Sequence, residues 1–262
     1  MIAPVLRYCR ACFRASFAIM LEYRATVFLW ILAGLTPLIM MFVWRHLAAD
    51  APLGGRDPKA FSFYFLTAFL ATQCCIAWVV WNVDYQVRNG TYAIQLLRPF
   101  DPWFAELIEN VSAYVLRMPL NVLITAAGLL LSGGWELIVP GRLPAFLLAL
   151  LLSWQLMFNT NYALALLCLW SERAKSADSW IYIMLYTLGG ALFPLDFLSP
   201  GARAVIAWTP FPWMVNFPVE LLAGGVPPFP GFAMQAAWLA VMVAFHRILW
   251  ARGRKRFGAV GG

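Results

Sequence analysis

The side chains that most often carry chemistry are few, and their positions do not favour catalysis. His46 and His246 both lie at the ends of long apolar stretches, where a contact at the membrane edge is the simpler interpretation. Cys9 and Cys12 form a C-x-x-C pair, but their segment has helical periodicity and no second pair completes a metal site. No H-E-x-x-H or G-x-S-x-G motif is present. The sequence therefore predicts neither an enzyme active site nor a metal site.

Two further kinds of ligand are not predicted either. The chain lacks G-x-x-x-x-G-K-[ST], the loop whose backbone amides cradle nucleotide phosphates, so we expect no nucleotide or other cofactor bound by this chain. A net charge of +7 would suggest nucleic acid binding in a soluble chain. In an apolar chain, basic residues are better explained as anchors at the cytoplasmic ends of membrane helices. We expect no nucleic acid partner.

Amides are the main polar groups in the middle of the apolar stretches. Two interpretations of them stay open: hydrogen bonds between helices, or the lining of a substrate path or dimer seam. No Asp or Glu lies in the middle of a stretch, where an ion-coupled carrier usually keeps one. This absence counts against ion-driven transport. The candidate substrate-path amides are Gln73, Asn121, Gln155, Asn159 and Asn161.

The composition is that of a polytopic membrane protein. Of the 262 residues, 63% are hydrophobic and only 12% charged, whereas soluble domains are about half apolar and a quarter charged. The mean hydropathy is +0.74. We predict an all-α integral membrane protein with six transmembrane helices. An amphipathic interfacial helix at 4–23 precedes them, with arginines on one face and apolar residues on another.

The six spans are apolar stretches long enough, or nearly long enough, to cross a bilayer. They are predicted at 25–44, 60–83, 112–132, 146–169, 179–195 and 231–249. Arg117, near one end of the third span, is expected to extend its side chain to the interface. With the N-terminus inside, fourteen Lys and Arg lie on the inner side and five on the outer side. This bias predicts that both termini are cytoplasmic.

Two regions outside the spans have distinct patterns. In the cytoplasmic segment 84–110, Asn89-Gly90 predicts a turn, Tyr92 to Leu97 a short transverse helix that stops at Pro99, and Asp101-Pro102 the start of an interfacial helix that rises into the third span. The outer segment 196–230 is too rich in proline for one continuous helix. It predicts broken, re-entrant helices that form a cap before the sixth span.

Two motifs in this order resemble the permease subunit of ABC-2 type exporters, in the subgroup of multidrug and viologen exporters. The first is Arg88-Asn89-Gly90-Thr91 followed by Leu96-Leu97-Arg98-Pro99-Phe100, similar to the family's "G-(x)n-L-L-R-P" stretch. The second is Trp208-Thr209-Pro210-Phe211-Pro212, followed by Asn216-Phe217-Pro218-Val219-Glu220 and Gly224. The similarity extends over nearly the whole chain.

The resemblance implies a transport subunit in the bacterial inner membrane, working by alternating access. It implies a separate ABC ATPase subunit that binds ATP and Mg²⁺, and a second permease as homodimer or paralogous heterodimer partner. A coupling helix would dock on the ATPase. The residues assigned to this coupling are Arg88, Asn89, Gly90, Thr91, Leu96, Leu97, Arg98, Pro99 and Asp101, with Arg173 and Lys175 in a second polar loop.

Two rival classes stay open. The first is a standalone ion-coupled carrier or channel, which would transport without an ATPase. The second is a membrane-embedded enzyme, which would need a cluster of His, Asp or Glu at one membrane face. The acids at 101–109 alternate with aromatic residues and look amphipathic, which disfavours the second class. The substrate is not specified by the sequence, and the export direction is implied by the resemblance alone.

Overall fold

The fold is all-α, as predicted. The computed structural model describes residues 2–22, 29, 31–32, 34–98, 100–170 and 174–255. Within these ranges there is no β-strand, only an isolated bridge between Leu53 and Arg56. Short 3₁₀ turns at Gly134–Leu137, Pro140–Arg142, Leu167–Leu169 and Leu195–Phe197 link some of the helices.

Twelve α-helices are found in the described part of the chain. They are α1 (Ile2–Glu22), α2 (Thr36–Leu47), α3 (Pro58–Cys74), α4 (Val79–Arg88), α5 (Tyr92–Leu96), α6 (Pro102–Ser132), α7 (Leu143–Leu166), α8 (Ala174–Leu188), α9 (Pro200–Ile206), α10 (Phe211–Met214), α11 (Asn216–Leu222) and α12 (Pro228–Gly253). We call the end formed by residues 89–101 and 250–255 the basic end, and the end formed by residues 133–142 and 189–227 the cap end.

Four segments are long and apolar enough to cross a membrane, among the residues that the structure describes: Pro58–Arg88, Pro102–Ser132, Pro140–Leu169 and Pro228–Gly253. The second, third, fourth and sixth predicted spans fall within them. The first predicted span includes residues outside the described ranges, and its later part belongs to α2. The fifth coincides with α8 only as far as Leu188, because Gly190 adopts a positive φ of 91° just beyond it.

The segment Pro58–Arg88 lies at the centre of the bundle. Its apolar window is 89% buried in the protein, whereas the corresponding window of α12 is only 11% buried. Helix α3 packs against α2 and α6, and α4 packs against α7. α12 packs mainly against α7 and directs most of its apolar surface outward. A displacement of the central segment would therefore also displace the helices packed around it. Helix α12, in contrast, exposes apolar surface to lipid or to another chain.

The central segment is interrupted between Cys74 and Val79. The Tyr182 hydroxyl lies 2.9 Å from both the amide nitrogen and the carbonyl oxygen of Ala77, and the Arg117 guanidinium donates to the carbonyl oxygen of Ile76. Arg117 is only 1% exposed, so the prediction that it reaches the interface is wrong. The physical reason is the interruption itself, since carbonyl groups released from helical bonding must find another donor inside the protein.

The start of α6 agrees with its predicted signals. Asp101 is the N-cap, its Oδ1 accepts from the amide nitrogen of Trp103 at 2.9 Å, and proline occupies the first helical position. From there the helix continues for 31 residues to Ser132 without a break. Its polar face is directed inward: Glu106 and Asn110 are buried, and Glu106 accepts hydrogen bonds from Asn82 and Gln86 of α4.

At the cap end, three short helices replace one long one, as the prolines require. Arg56 joins this cap to the start of α3: its Nε donates to Asp196 Oδ2 at 3.1 Å, and its Nη2 donates to Glu220 Oε1 at 2.7 Å. Burial raises the pKa of Glu220, an effect that Arg56 opposes. Burial alone would lower the pKa of Arg56, but the two carboxylates outweigh it and leave that pKa above its ordinary value.

Candidate functional site at the basic end

The candidate site begins where α4 ends at Arg88. The Arg88 Nε donates to both oxygens of Asp84, at 3.1 and 3.0 Å, and Asp84 is buried while the Arg88 side chain is half-exposed. Asn89 follows as the C-cap of α4, and Gly90 turns the chain with a φ of +71°. Glycine suits this position because other residues rarely adopt a positive φ. A Cβ at Gly90 would meet no atom within 4 Å, so the turn is open to solvent.

The short helix α5 is fixed by one face and free on the other. Tyr92 is fully buried, and burial raises the pKa of its hydroxyl. The Thr91 hydroxyl donates to the carbonyl oxygen of Gln86 at 3.3 Å, which ties the start of α5 to α4. The exposed side is apolar: Ile94 is 54% exposed and Leu97, just beyond the helix, is 86% exposed. Ile94 and Leu97 thus form an exposed apolar edge on an anchored segment, a surface that lipid or another chain could cover.

The segment after α5 returns to the bundle at Asp101. An Arg98 guanidinium nitrogen donates to Gln95 Oε1 at 3.2 Å, and Leu96 packs partly buried beside Tyr92 in one apolar cluster. Pro99 lies outside the described residues. Besides capping α6, Asp101 accepts from Arg247 of α12 at 3.3 Å. The candidate coupling segment is therefore joined to three elements, α4, α6 and α12.

The two residues of the second predicted loop cannot be joined to this surface. Arg173 lies outside the described residues, and Lys175 is placed in α8 by its backbone alone. The structure thus brings together the residues from Arg88 to Leu96, with Leu97, Arg98 and Asp101, at one end of the bundle. The contact of Arg173 and Lys175 with an ATPase stays a prediction.

The five amides of the predicted substrate path lie on α3, α6 and α7. Asn121 donates to Gln73 at 3.4 Å between α6 and α3, and Asn159 accepts from the Trp103 indole at 3.2 Å. Asn161 donates within its own helix to Met157, and the backbone oxygen of Gln155 accepts from Asn159. The bonds of Asn121 and Trp103 join different helices, as the first interpretation expects, whereas the bonds of Asn159 and Asn161 to backbone oxygens lie within α7. A role in a substrate path stays a prediction.

Besides Arg117, the burial of Gln235 and Glu106 was not predicted from the sequence. Gln235 of α12 is fully buried, and its Nε2 donates to the carbonyl oxygens of Ala149 and Trp213 and to the Ser153 hydroxyl, at 2.8 to 3.1 Å. Gln235 lies near the start of the sixth predicted span, where a polar residue among apolar ones is a signal that the sequence does contain. Glu106 is the other group: its inward direction depends on Asn82, whose proximity no local pattern reveals.

No group of three or more His, Cys, Asp or Glu side chains that could hold a metal ion is found in the described part of the chain. The basic end offers instead an anchored helix, an exposed apolar edge and several arginines. This arrangement is suited to contact with a partner surface.

Comparison with known proteins agrees with this picture. The family model described as "ABC-2 family transporter protein" matches residues 53–261, which is most of the chain. The chain therefore belongs to the ABC-2 transporter family and is a multi-pass membrane component of an ABC transporter. No curated protein matches the chain.

Proposed function

We propose that this chain is the permease subunit of an ATP-driven exporter in the bacterial inner membrane. Two permeases would form the translocation pathway, as a homodimer or a paralogous heterodimer. A separate ABC ATPase subunit would bind ATP and Mg²⁺ and supply the energy, so that this chain needs no ATPase site of its own. Closure of the ATPase dimer would switch the paired permeases between inward- and outward-open states.

The observation that carries the proposal is the construction of the α5 segment. Its buried face is fixed by Tyr92, whereas its free edge presents Leu97 at 86% exposure beside Arg98. A partner that binds this edge would remove the Leu97 side chain from water, and burial of apolar surface stabilises an interface. The segment follows directly from α4, so a displacement of α5 would be transmitted to the central segment Pro58–Arg88. The apolar window of this central segment is 89% buried in the protein.

The charges support an orientation with the basic end in the cytoplasm. Arg88, Arg98, Arg254 and Lys255 all lie at this end, together with Arg247. Basic residues accumulate on the cytoplasmic side of membrane helices. An ATPase subunit that uses cytoplasmic ATP would meet the permease on this side.

One observation favours the rival class, a standalone ion-coupled carrier or channel. Glu106 and Glu109 both accept from the amide nitrogen of Asn82, at 2.8 and 2.9 Å, and Glu106 is only 3% exposed. Buried carboxylates inside a membrane bundle are typical of proton or ion pathways. This class predicts transport into liposomes under an ion gradient without ATP, and loss of that transport in Glu106→Gln.

Copurification of the ATPase tests the proposal. The tagged chain is extracted gently from its native membrane, and any ATP-binding-cassette subunit is identified and quantified by mass spectrometry. Leu97→Asp and Arg98→Glu are compared with Val205→Asp and Arg203→Glu, matched changes of exposed residues in α9 at the cap end. We expect the first pair to lower ATPase recovery by about tenfold or more, since a charge would be buried unpaired at the contact.

The controls at the cap end should leave ATPase recovery unchanged. If the wild-type chain purifies without an ATPase and transports under an ion gradient alone, the chain is an ion-coupled carrier and the permease proposal is wrong. If Leu97→Asp and Val205→Asp lower recovery equally, the docking surface is not at α5.

A further inference from the structure

A cavity lies beside the interruption of the central segment, between α8 and residues 76–78. It has a volume of about 200 Å³. The side chain of Asp178, near the start of α8, forms its polar wall, and we call this space the Asp178 cavity. The remaining lining residues are apolar or aromatic: Gly34, Ile76, Ala77, Trp78, Tyr182 and Tyr186. None of the five predicted substrate-path amides lines it.

The carboxylate of Asp178 is buried with one of its oxygens unpartnered. The residue is only 4% exposed, and its Oδ2 accepts from the Trp81 indole at 3.0 Å. Its Oδ1 accepts from no donor among the residues that the structure describes, and no ion pair joins it to a cation there. A buried carboxylate oxygen without a donor is costly, because it has lost its water. This geometry points to a donor that the chain itself does not supply.

Two further polar side chains reach the interruption, and both have partners within the chain. The Tyr182 hydroxyl is bonded to the backbone of Ala77. Arg117 comes from α6 and does not line the cavity: its guanidinium donates to the carbonyl oxygen of Ile76 and lies 4.6 Å from the centroid of the Tyr114 ring. Asp178 is therefore the one charged side chain among the described residues that line the cavity.

The lining selects for one chemical class of ligand. A protonated amine supplies both a positive charge and an N–H donor, and its hydrogen bond to a carboxylate is charge-assisted. The three aromatic side chains attract cations and also accommodate apolar groups. The volume corresponds to about seven water molecules in the liquid, which is room for a compact amine with one ring. An inorganic cation would find one carboxylate there, short of the several oxygen ligands that such ions take.

We propose that the Asp178 cavity binds small apolar amines in their protonated form, and that such amines are substrates of this permease. The ammonium N–H would donate to Oδ1 of Asp178, while the apolar part would lie against Trp78, Tyr182 and Tyr186. An amine bound there would contact the interruption of the segment that continues into α4 and α5. The substrate role rests on the proposed function, whereas the binding does not.

Equilibrium binding of a defined amine tests the site. The purified full-length chain in detergent is incubated with radiolabelled phenethylamine, and bound amine is measured by scintillation proximity, with excess unlabelled amine defining the background. Asp178→Asn removes the charge but keeps an oxygen for the Trp81 indole. Asp50→Asn, the matched control, removes the same charge from an exposed residue that does not line the cavity. Tyr186→Leu removes one ring from the wall, and thermal midpoints show whether each variant is folded.

We expect Asp178→Asn to weaken phenethylamine binding by about 30-fold, Tyr186→Leu by about fivefold and Asp50→Asn by less than about twofold. Phenethyl alcohol has nearly the same shape without the charge, so it should compete about 30-fold less well. Sodium ions should not compete. Equal binding by Asp178→Asn and Asp50→Asn would overturn the site, as would equal competition by the alcohol. Displacement by sodium would also overturn it, in favour of an inorganic cation site.

A second readout separates the site from the proposed function. In the complex with the ATPase subunit, phenethylamine should raise the rate of ATP hydrolysis for the wild-type chain and not for Asp178→Asn. If the amine binds through Asp178 but leaves ATP hydrolysis unchanged, the substrate role is wrong and the binding site stands. If no ATPase copurifies, the proposed function fails, while amine binding to the purified chain still decides the site.

Discussion

The two ends of the bundle treat their charged groups in opposite ways. At the cap end, Arg56 lies between Asp196 and Glu220, and Lys59 pairs with Glu136. At the basic end, Leu97 and Arg98 are exposed on an anchored segment, and Arg254 and Lys255 are exposed just beyond α12. The cap end buries an ion pair, Arg56 with Glu220, whereas the basic end places its charged and apolar side chains at the surface.

We therefore expect substitutions at the cap end to alter stability and substitutions at the basic end to alter partner binding. The Arg56–Glu220 ion pair, which is mostly buried, joins a cap helix to the start of α3, so changes there should lower stability and spare partner binding. Exposed groups on an anchored helix contribute little to folding, so changes there should spare stability and alter partner binding.

The largest effect is expected from Arg56→Met. The change leaves Glu220 ionised in a mostly buried place without its cation, which should cost about 3 kcal/mol and lower the thermal midpoint by several degrees. Arg203→Met, in exposed α9, is the matched control. Thermal unfolding in detergent, followed by fluorescence, checks the result. An unchanged midpoint would show that the cap network does not stabilise the fold.

The same variant should be sensitive to pH. Burial raises the pKa of Glu220 and Arg56 opposes the rise, so without Arg56 the folded-state pKa should rise further. A group whose pKa is higher in the folded state stabilises the protein below its unfolded pKa, and this contribution is lost as pH rises through the folded pKa. The deficit of Arg56→Met should therefore shrink on acidification toward about pH 4.3. A deficit independent of pH would contradict the role of Glu220.

Gly231→Ala should have the next largest effect. A Cβ at Gly231 would lie 1.9 Å from Cε2 of Phe217, so the ring or the start of α12 must move, at a cost of about 2 kcal/mol. Gly201→Ala is the control, because a Cβ there meets nothing within 4 Å. We expect Gly231→Ala to lower the thermal midpoint and Gly201→Ala to leave it unchanged. ATPase recovery should be normal in both variants.

Gly90→Ala tests the other end. Its positive φ should cost about 1 kcal/mol, and the open surroundings add no clash. Because the turn at Gly90 sets the orientation of α5, we expect ATPase recovery to fall clearly. The accompanying loss of stability, seen as a small change in thermal midpoint, would be too small to explain this fall. Gly141→Ala, also in open space but at the cap end, should alter neither. Normal ATPase recovery in Gly90→Ala would show that the turn does not position α5.

The smallest effect is expected at Asp101. Loss of the N-cap in Asp101→Ala should cost about 1 kcal/mol, whereas Asp101→Asn keeps a capping oxygen and should cost only a few tenths. The exposed contact with Arg247 contributes little. Thermal midpoints of the two variants provide the comparison, and equal losses would show that the ion pair, not the cap, matters at this position.

Local signals in the sequence predicted local structure well. The turn at Asn89-Gly90 and the helix start at Asp101-Pro102 depend on residues within a few positions of one another, and both are found as expected. The inward position of Arg117 could not be predicted, because it depends on unpaired carbonyls in an interruption of the neighbouring segment. Glu106 turned inward for a similar reason, since Asn82 and Gln86 come from another helix.

The central claim is that an ATPase subunit contacts the free edge of α5. Photocrosslinking tests it most directly: a photoreactive phenylalanine analogue replaces Leu97 in one variant and Val205 in the other, and membranes are illuminated before extraction. We expect a crosslink from position 97 to an ATP-binding-cassette subunit and none from position 205. A crosslink to that subunit from position 205 alone would contradict it.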